Sequence, residues 1–251
     1  MSRMESRGEQ AVILRVGTFR EIDCWVRFFS PLRGIETGFA FGGRRSRRRF
    51  TGCLDSLNHV RLDLEAPRSG RYLTLSQGTL VHRFAGLHRD MQRMGMAVNC
   101  IKFLEGAHTG ADQAEPVFDL LLAALDVLNA APDVPATFPL LFRAKLACTY
   151  GYAPEVNLCG VCGVSLSSME SGSFSWRGGY ALCAGCRKRA EAGVMDNLDL
   201  SRLGLFLSGS PEEWARTGRP KPGDSNLWQV LDFFVQHHTG LQWTRGRFRR
   251  V

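Results

Sequence analysis

No stretch of this chain is apolar enough to span a bilayer. The longest apolar run, residues 117–128, is short of the ~20 residues a crossing helix needs and carries Asp119 and Asp126. The first ten residues, MSRMESRGEQ, lack an apolar signal core, so a reducing, cytoplasmic setting is expected and no membrane partner. Nucleotide hydrolysis is without its cradle, since G-x4-G-K-[ST] does not occur. G-x-S-x-G, H-E-x-x-H and H-x-E followed by P-C-x-x-C are also missing, and His59, His82, His88, His108, His237 and His238 fall into no hydrolase pattern. The chain is therefore not expected to be an enzyme. Lysine is scarce too: it occupies only Lys102, Lys145, Lys188 and Lys221, so nearly all of the 32 basic residues are arginine. Guanidinium groups grip phosphates bidentately and stack on bases, although a GC-rich genome would give the same bias.

What is present is a soluble composition, 44% hydrophobic and 22% charged, with a net charge of +8. At 251 residues two or three compact units are expected, and the positive balance favours an acidic partner such as nucleic acid. Four of the eight cysteines, Cys159, Cys162, Cys183 and Cys186, form two C-x2-C pairs separated by twenty residues. That is the spacing of a closed four-thiolate zinc site, with Gly160, Gly163 and Gly185 where the chain must curl. All four corners of the tetrahedron are filled, so one structural Zn2+ is expected, not a catalytic one. Two disulfides are the alternative. Cys24, Cys53, Cys100 and Cys148 lie in apolar surroundings and are expected to pack as small hydrophobes.

Along the chain, residues 11–16, 22–29, 35–41, 50–57 and 60–64 are expected as five short strands, with Ile22, Cys24, Val26 and Phe28 on one face. Five such strands suit a small closed barrel, OB-fold or SH3-like. The period then becomes helical: Met94, Val98, Ile101 and Leu104 recur, Pro116 opens a helix at 117–129, and further helices are expected at 140–150, 198–207, 211–215 and 227–238, the last capped by Ser225. Residues 165–179 are expected as the loop between the cysteine pairs, and 209–224 as a flexible connection. The implied organisation is a barrel over 1–82, a helical bundle over 83–156 and 189–251, and a zinc module inserted at 157–188.

The densest charge is Gly42-Gly43-Arg44-Arg45-Ser46-Arg47-Arg48-Arg49-Phe50, five arginines flanked by Phe39, Phe41 and Phe50. Arginines on a barrel loop beside aromatic rings fit a nucleic-acid-binding face; a solvated hairpin is the bland account. Smaller basic clusters are Arg187-Lys188-Arg189 and Arg245, Arg247, Arg249 and Arg250 after Trp243. The pairs Glu21 with Asp23 and Asp63 with Glu65 could chelate magnesium in a nuclease, but alternation on a strand exposes such pairs routinely.

These residues together resemble the RecO family of bacterial recombination mediators. The resemblance is carried by Ile22-Asp23-x-x-Val26, Ser30-Pro31-x-Arg33-Gly34, Ala40-Phe41-Gly42-Gly43-Arg44-Arg45 and Leu54 in the first part. In the second it is carried by 140–152 with Pro154, by Cys159-Gly160-Val161-Cys162-Gly163, by Phe174-Ser175 through Gly178-Gly179 to Leu182-Cys183-x-x-Cys186, and by the helix ending at His237-His238. It implies a multi-domain α+β protein: an N-terminal OB-fold barrel, then a helical bundle carrying an inserted four-cysteine zinc finger. It also implies binding of single- and double-stranded DNA, annealing of complementary strands, and work with RecR and single-stranded-DNA-binding protein to load recombinase. Arg44, Arg45, Arg47, Arg48 and Arg49 match the family's basic barrel loop, where DNA contact is implied. A zinc-ribbon assembly scaffold with incidental DNA binding is the competing reading.

Overall fold

The computed structural model describes residues 6–65, 72–107, 109–167, 171–189 and 192–251, and His108 lies outside them. The chain divides into two compact units, one of residues 1–90 and 108–122, the other of 91–107 and 123–251.

In the first unit β1 (Ser6–Phe19), β2 (Asp23–Ser30), β3 (Gly34–Ala40), β4 (His59–Glu65) and β5 (Leu73–His82) close a barrel in the order β1-β2-β3-β5-β4. Neighbours are antiparallel except β3 and β5, which run parallel. This is the OB-like topology. Period-two alternation sends Cys24, Val26 and Phe28 inward to meet Ile13, Leu62 and Leu75. Burying a ring the size of Phe28 is worth about 2–3 kcal/mol.

The expected strand at 50–57 is a run of turns instead. Gly52 and Leu57 take positive φ of 66° and 71°, and Phe50 and Cys53 enter the barrel core. Apolar residues there fill the barrel interior and do not line a ladder. The fifth strand is β5, where Gln77, Gly78 and Thr79 interrupt the apolar alternation. Ile22 also departs from its expected inward face, lying 38% exposed in the turn before β2.

A helix, α1 (Met91–Ala107), belongs to the second unit, and α2 (Ala114–Ala130) divides between the two. The first half of α2 packs against the barrel, with Phe118 5.9 Å from the rings of both Phe29 and His59. The second unit continues with α3 (Phe138–Ala147) and a π-helical turn at Cys148–Tyr152, followed by β6 (Glu155–Cys159), β7 (Gly172–Ser175), β8 (Tyr180–Leu182), the one-turn α4 (Ala184–Arg187) and β9 (Val194–Leu198). These strands form a sheet in the order β6-β8-β7-β9. Part of the expected inter-cysteine loop is therefore strand β7, while 168–170 lie outside the described residues.

The rest is α5 (Leu200–Ser208), α6 (Pro211–Thr217), α7 (Ser225–Thr239) and a hairpin of β10 (Leu241–Thr244) and β11 (Arg247–Arg250). Ser225 begins α7 but does not cap it; Asp224 holds that position without a side-chain cap bond, and Gly240 ends the helix at φ 65°. The 209–224 connection is tied down by several contacts. Ser210 and Glu213 make a capping box on α6, fully buried Trp214 donates to the Phe206 carbonyl at 3.1 Å, and Arg202 bridges Asp224 and the Arg219 carbonyl.

Candidate nucleic-acid interface and metal centre

The arginine run is a folded loop. Gly42 turns at φ 66° and donates its amide to buried Asp23 Oδ1 at 2.7 Å. Gly43 is buried so tightly that a Cβ would stand 2.9 Å from both Ala40 Cβ and Cys24 Sγ, so no larger residue fits. The glycine pair thus serves the turn and its packing. At the far end the Arg49 carbonyl accepts the Gly78 amide of β5 at 2.8 Å, and Thr51 Oγ1 donates to the Arg47 carbonyl at 2.7 Å.

The backbone is thereby fixed while Arg44, Arg45, Arg47, Arg48 and Arg49 all stay exposed. Their guanidinium groups are not equivalent. Arg49 donates to the Phe41 carbonyl at 2.5 Å and lies 5.2 Å from the Phe50 ring, so it braces the loop, and Arg44 reaches Thr18 Oγ1 at 3.5 Å. Among the described residues, the guanidinium groups of Arg45, Arg47 and Arg48 have no partner. Unpaired cations held on a rigid loop are available to phosphate at little ordering cost.

Beside the loop is an aromatic patch that sequence reading resolved only in part. Phe39 packs 4.9 Å from Phe19, 5.0 Å from Tyr72 and 6.4 Å from Phe41, the last pair nearly parallel at 22°. Phe19 is 36% exposed, Phe41 46% and Tyr72 61%, so ring faces are open to solvent. Phe50, expected with them, is instead buried in the barrel core. Phe19 and Tyr72 carry no local signal for this patch, although the strand register puts Phe19 and Phe39 on the face opposite the inward residues.

One member of each carboxylate pair is engaged in the fold. Asp23 accepts the Gly42 amide, and Asp63 Oδ1 accepts the Gly8 amide at 2.7 Å. Among the described residues, the only cluster of three or more potential metal ligands is Cys159, Cys162, Cys183 and Cys186.

These four sulfurs lie within 4.8 Å of one another, and Cys162 Sγ stands 3.8 Å from Cys183 Sγ. A tetrahedron of ~2.3 Å zinc–sulfur bonds has sulfur–sulfur edges of about 3.8 Å, whereas a disulfide needs about 2.05 Å. All eight cysteines are free thiols. Amides point at the sulfurs: Cys183 N donates to Cys159 Sγ at 3.4 Å, and Cys186 N to Cys183 Sγ at 3.5 Å as Cys183 caps α4.

The protonation of the cluster reflects its crowding. Burial pushes the Cys159 thiol up, but amides of Cys183, Cys162 and Val161 outweigh this and bring it down to about 6. Cys183 is also lowered, first by the Cys186 amide, whereas the neighbouring Cys162 and Cys183 sulfurs drive Cys186 up to about 12. Four thiolates coexist here only around a cation, and an all-sulfur tetrahedral donor set suits Zn2+.

Of the other basic clusters, Arg187 is engaged: it clamps Asp196 at 2.6 and 2.9 Å, with Ser173 Oγ donating to the same carboxylate at 2.7 Å. The Arg187 hydrogen bond, and then that of Ser173, hold Asp196 below the usual carboxylate range. The cysteine quartet is therefore braced by the residue that follows its last ligand.

Comparison with known proteins decides the kinship. The family described as "Recombination protein O N terminal" matches residues 4–84, and "Recombination protein O C terminal" matches 88–247. The chain belongs to the RecO family. It is 41% identical over 244 residues to the DNA repair protein RecO of Oleidesulfovibrio alaskensis, covering 97% of this chain and 98% of the relative. Identity is 41% over 247 residues to the RecO of Solidesulfovibrio magneticus, again 97% and 98%, and 28% over 257 residues to that of an Anaeromyxobacter species, 99% and 96%. As a RecO family member the chain is a DNA-repair mediator and not a catalytic enzyme. No helix among the described residues is long and apolar enough to cross a membrane.

Proposed function

We propose that this chain is a non-enzymatic mediator that binds single- and double-stranded DNA and anneals complementary strands in the cytoplasm, at the nucleoid. Its partners are RecR and single-stranded-DNA-binding protein, with which it promotes recombinase loading. The observation that carries the reading is the rigid loop presenting Arg44, Arg45, Arg47 and Arg48 beside the open rings of Phe19, Phe41 and Tyr72, which pack around Phe39. Annealing needs no bond-making: strand charge is neutralised by the guanidinium groups while bases are held unpaired on aromatic faces. Arg49 contacts DNA less than its neighbours do, since it already bonds the Phe41 carbonyl. One Zn2+ held by Cys159, Cys162, Cys183 and Cys186 keeps the module at 157–188 folded and takes no part in chemistry.

Replacing Arg44, Arg45, Arg47 and Arg48 together with Ala tests this. Affinity for single-stranded DNA falls regardless of sequence, and the log–log salt slope shallows by about 0.7 per lost phosphate contact. An unchanged slope removes the loop from the interface.

A further inference from the structure

The arginines that close the chain are part of a built surface, not a loose tail. β10 and β11 pair in the register Leu241↔Arg250, Gln242↔Arg249, Trp243↔Phe248 and Thr244↔Arg247. The two-residue turn between them, Arg245 at φ 50° and Gly246 at φ 78°, has the doubly positive geometry that matches strand twist. One face of the ribbon is anchored within the second unit. Leu241 and Phe248 are buried, Phe103 of α1 meets Phe248 at 5.0 Å, and Lys102 Nζ donates to the Gly246 carbonyl at 2.8 Å. The opposite face carries Gln242, Thr244, Arg247 and Arg249, all exposed, with exposed Arg245 at the tip. Among the described residues, Arg245, Arg247 and Arg249 have no side-chain partner.

We infer that this ribbon is a second nucleic-acid site, gripping the phosphates of a strand other than the one held on the barrel. The inference rests on the barrel reading for the first strand. Three unpaired guanidinium groups on a register-fixed ribbon are complementary to a polyanion, and a patch serving only solubility requires no such anchoring. Arg247 and Arg249 are spaced by about 6.7 Å along the strand. That is comparable to the through-space separation of successive phosphates along one strand, so the two guanidinium groups can meet neighbouring phosphates of a single chain. Backbone recognition follows from what the face lacks. Its residues include no aromatic ring; Trp243, 45% exposed, lies on the anchored side, 4.8 Å from Phe248 and 5.5 Å from Lys102 Nζ. The barrel therefore offers base stacking and this face of the ribbon offers charge alone. A mediator that pairs two strands must neutralise both, and one such surface in each unit supplies that.

The test is a bridging assay with the full-length protein. Protein is loaded on bead-tethered oligothymidine, and capture of a second, fluorescent oligothymidine is measured; these strands cannot base-pair with each other. The variant Arg245→Gln, Arg247→Gln, Arg249→Gln keeps its loading on the tethered strand within about twofold but loses second-strand capture by about tenfold or more at moderate salt. Its melting temperature stays that of the unmodified protein, because all three side chains are exposed. The triple Lys variant recovers most of the capture. Wild-type capture by the Gln variant overturns the ribbon site and leaves the barrel reading standing. If Arg44, Arg45, Arg47 and Arg48 can be removed without loss of loading, the barrel reading fails; the ribbon then stands or falls on the Gln variant alone.

Discussion

Glu9 and Arg33 form an ion pair at 2.9 Å in which the Glu9 side chain is 1% exposed, and Glu9 also accepts the Ser30 hydroxyl at 2.6 Å. Ser30 Oγ in turn accepts the Arg33 amide at 3.2 Å, so β1 is stitched to the turn between β2 and β3. This explains the Ser30-Pro31-x-Arg33-Gly34 block: hydroxyl, turn and guanidinium all serve one carboxylate. Removing one partner leaves the other charge sheltered and unpaired. Glu9→Ala should cost about 3–5 kcal/mol in urea unfolding, and replacement of both Glu9 and Arg33 by apolar residues of similar volume considerably less. A single-variant loss below about 1 kcal/mol would show that solvent reaches the pair.

On the proposed reading the aromatic patch should separate single strands from duplex. Unstacked bases can lie on the open faces of Phe41 and Tyr72, whereas paired bases cannot reach them. Phe41→Ala and Tyr72→Ala should each weaken single-strand binding by about 1–3 kcal/mol per stacked base in fluorescence anisotropy, with duplex affinity little changed. Equal losses on both substrates would assign the rings to packing alone.

Cysteine reactivity sorts the thiols into two sets. Burial pushes Cys53 to about 11, Cys100 to about 12 and Cys148 to about 11, and raises Cys24 as well, so these are inert at neutral pH. With zinc bound, iodoacetamide should modify none of the quartet. After chelation, mass spectrometry should find alkylation led by Cys159 and Cys183, whose thiols are lowered, while Cys24, Cys53, Cys100 and Cys148 stay protected, and the melting temperature should drop, as it should for Cys183→Ser. Undiminished protection after chelation would mean that no metal holds the quartet.

Local spacing made some features legible and left others hidden. The cysteine quartet and the arginine loop could be found because each is a pattern of a few adjacent residues. Cys24, Val26 and Phe28 announced their strand because they alternate. β5 could not be found that way: Gly78 lies where a Cβ would stand 2.8 Å from Cys53 Sγ, and close packing of that kind leaves no periodic trace. Residues 50–57 misled for the converse reason, being apolar to fill the barrel interior. The partnership of Glu9 with Arg33 depends on the antiparallel pairing of β1 with β2, which joins positions 24 apart that no local window contains.

His238 gives the second unit an acid-sensitive contact. Its Nε2–H donates to the Trp176 carbonyl at 3.1 Å, and its ring lies 4.6 Å from Phe234 and 5.3 Å from Tyr152. Burial lowers its pKa below the ordinary 6.5; the Trp176 carbonyl opposes this, and His237 adds to it. A base whose folded pKa is depressed binds fewer protons folded than unfolded just below pH 6.5. Its contribution is therefore complete above that value and is lost as pH falls through the folded pKa. Other groups, the thiolates among them, also titrate on acidification, so the informative quantity is a difference between proteins. Urea midpoints measured from pH 8 to pH 5 should fall less steeply for His238→Gln than for the unmodified chain, the two curves converging below pH 6.5. Parallel curves across that window would mean that His238 is as well solvated folded as unfolded, and that the ring contacts carry no linkage to pH.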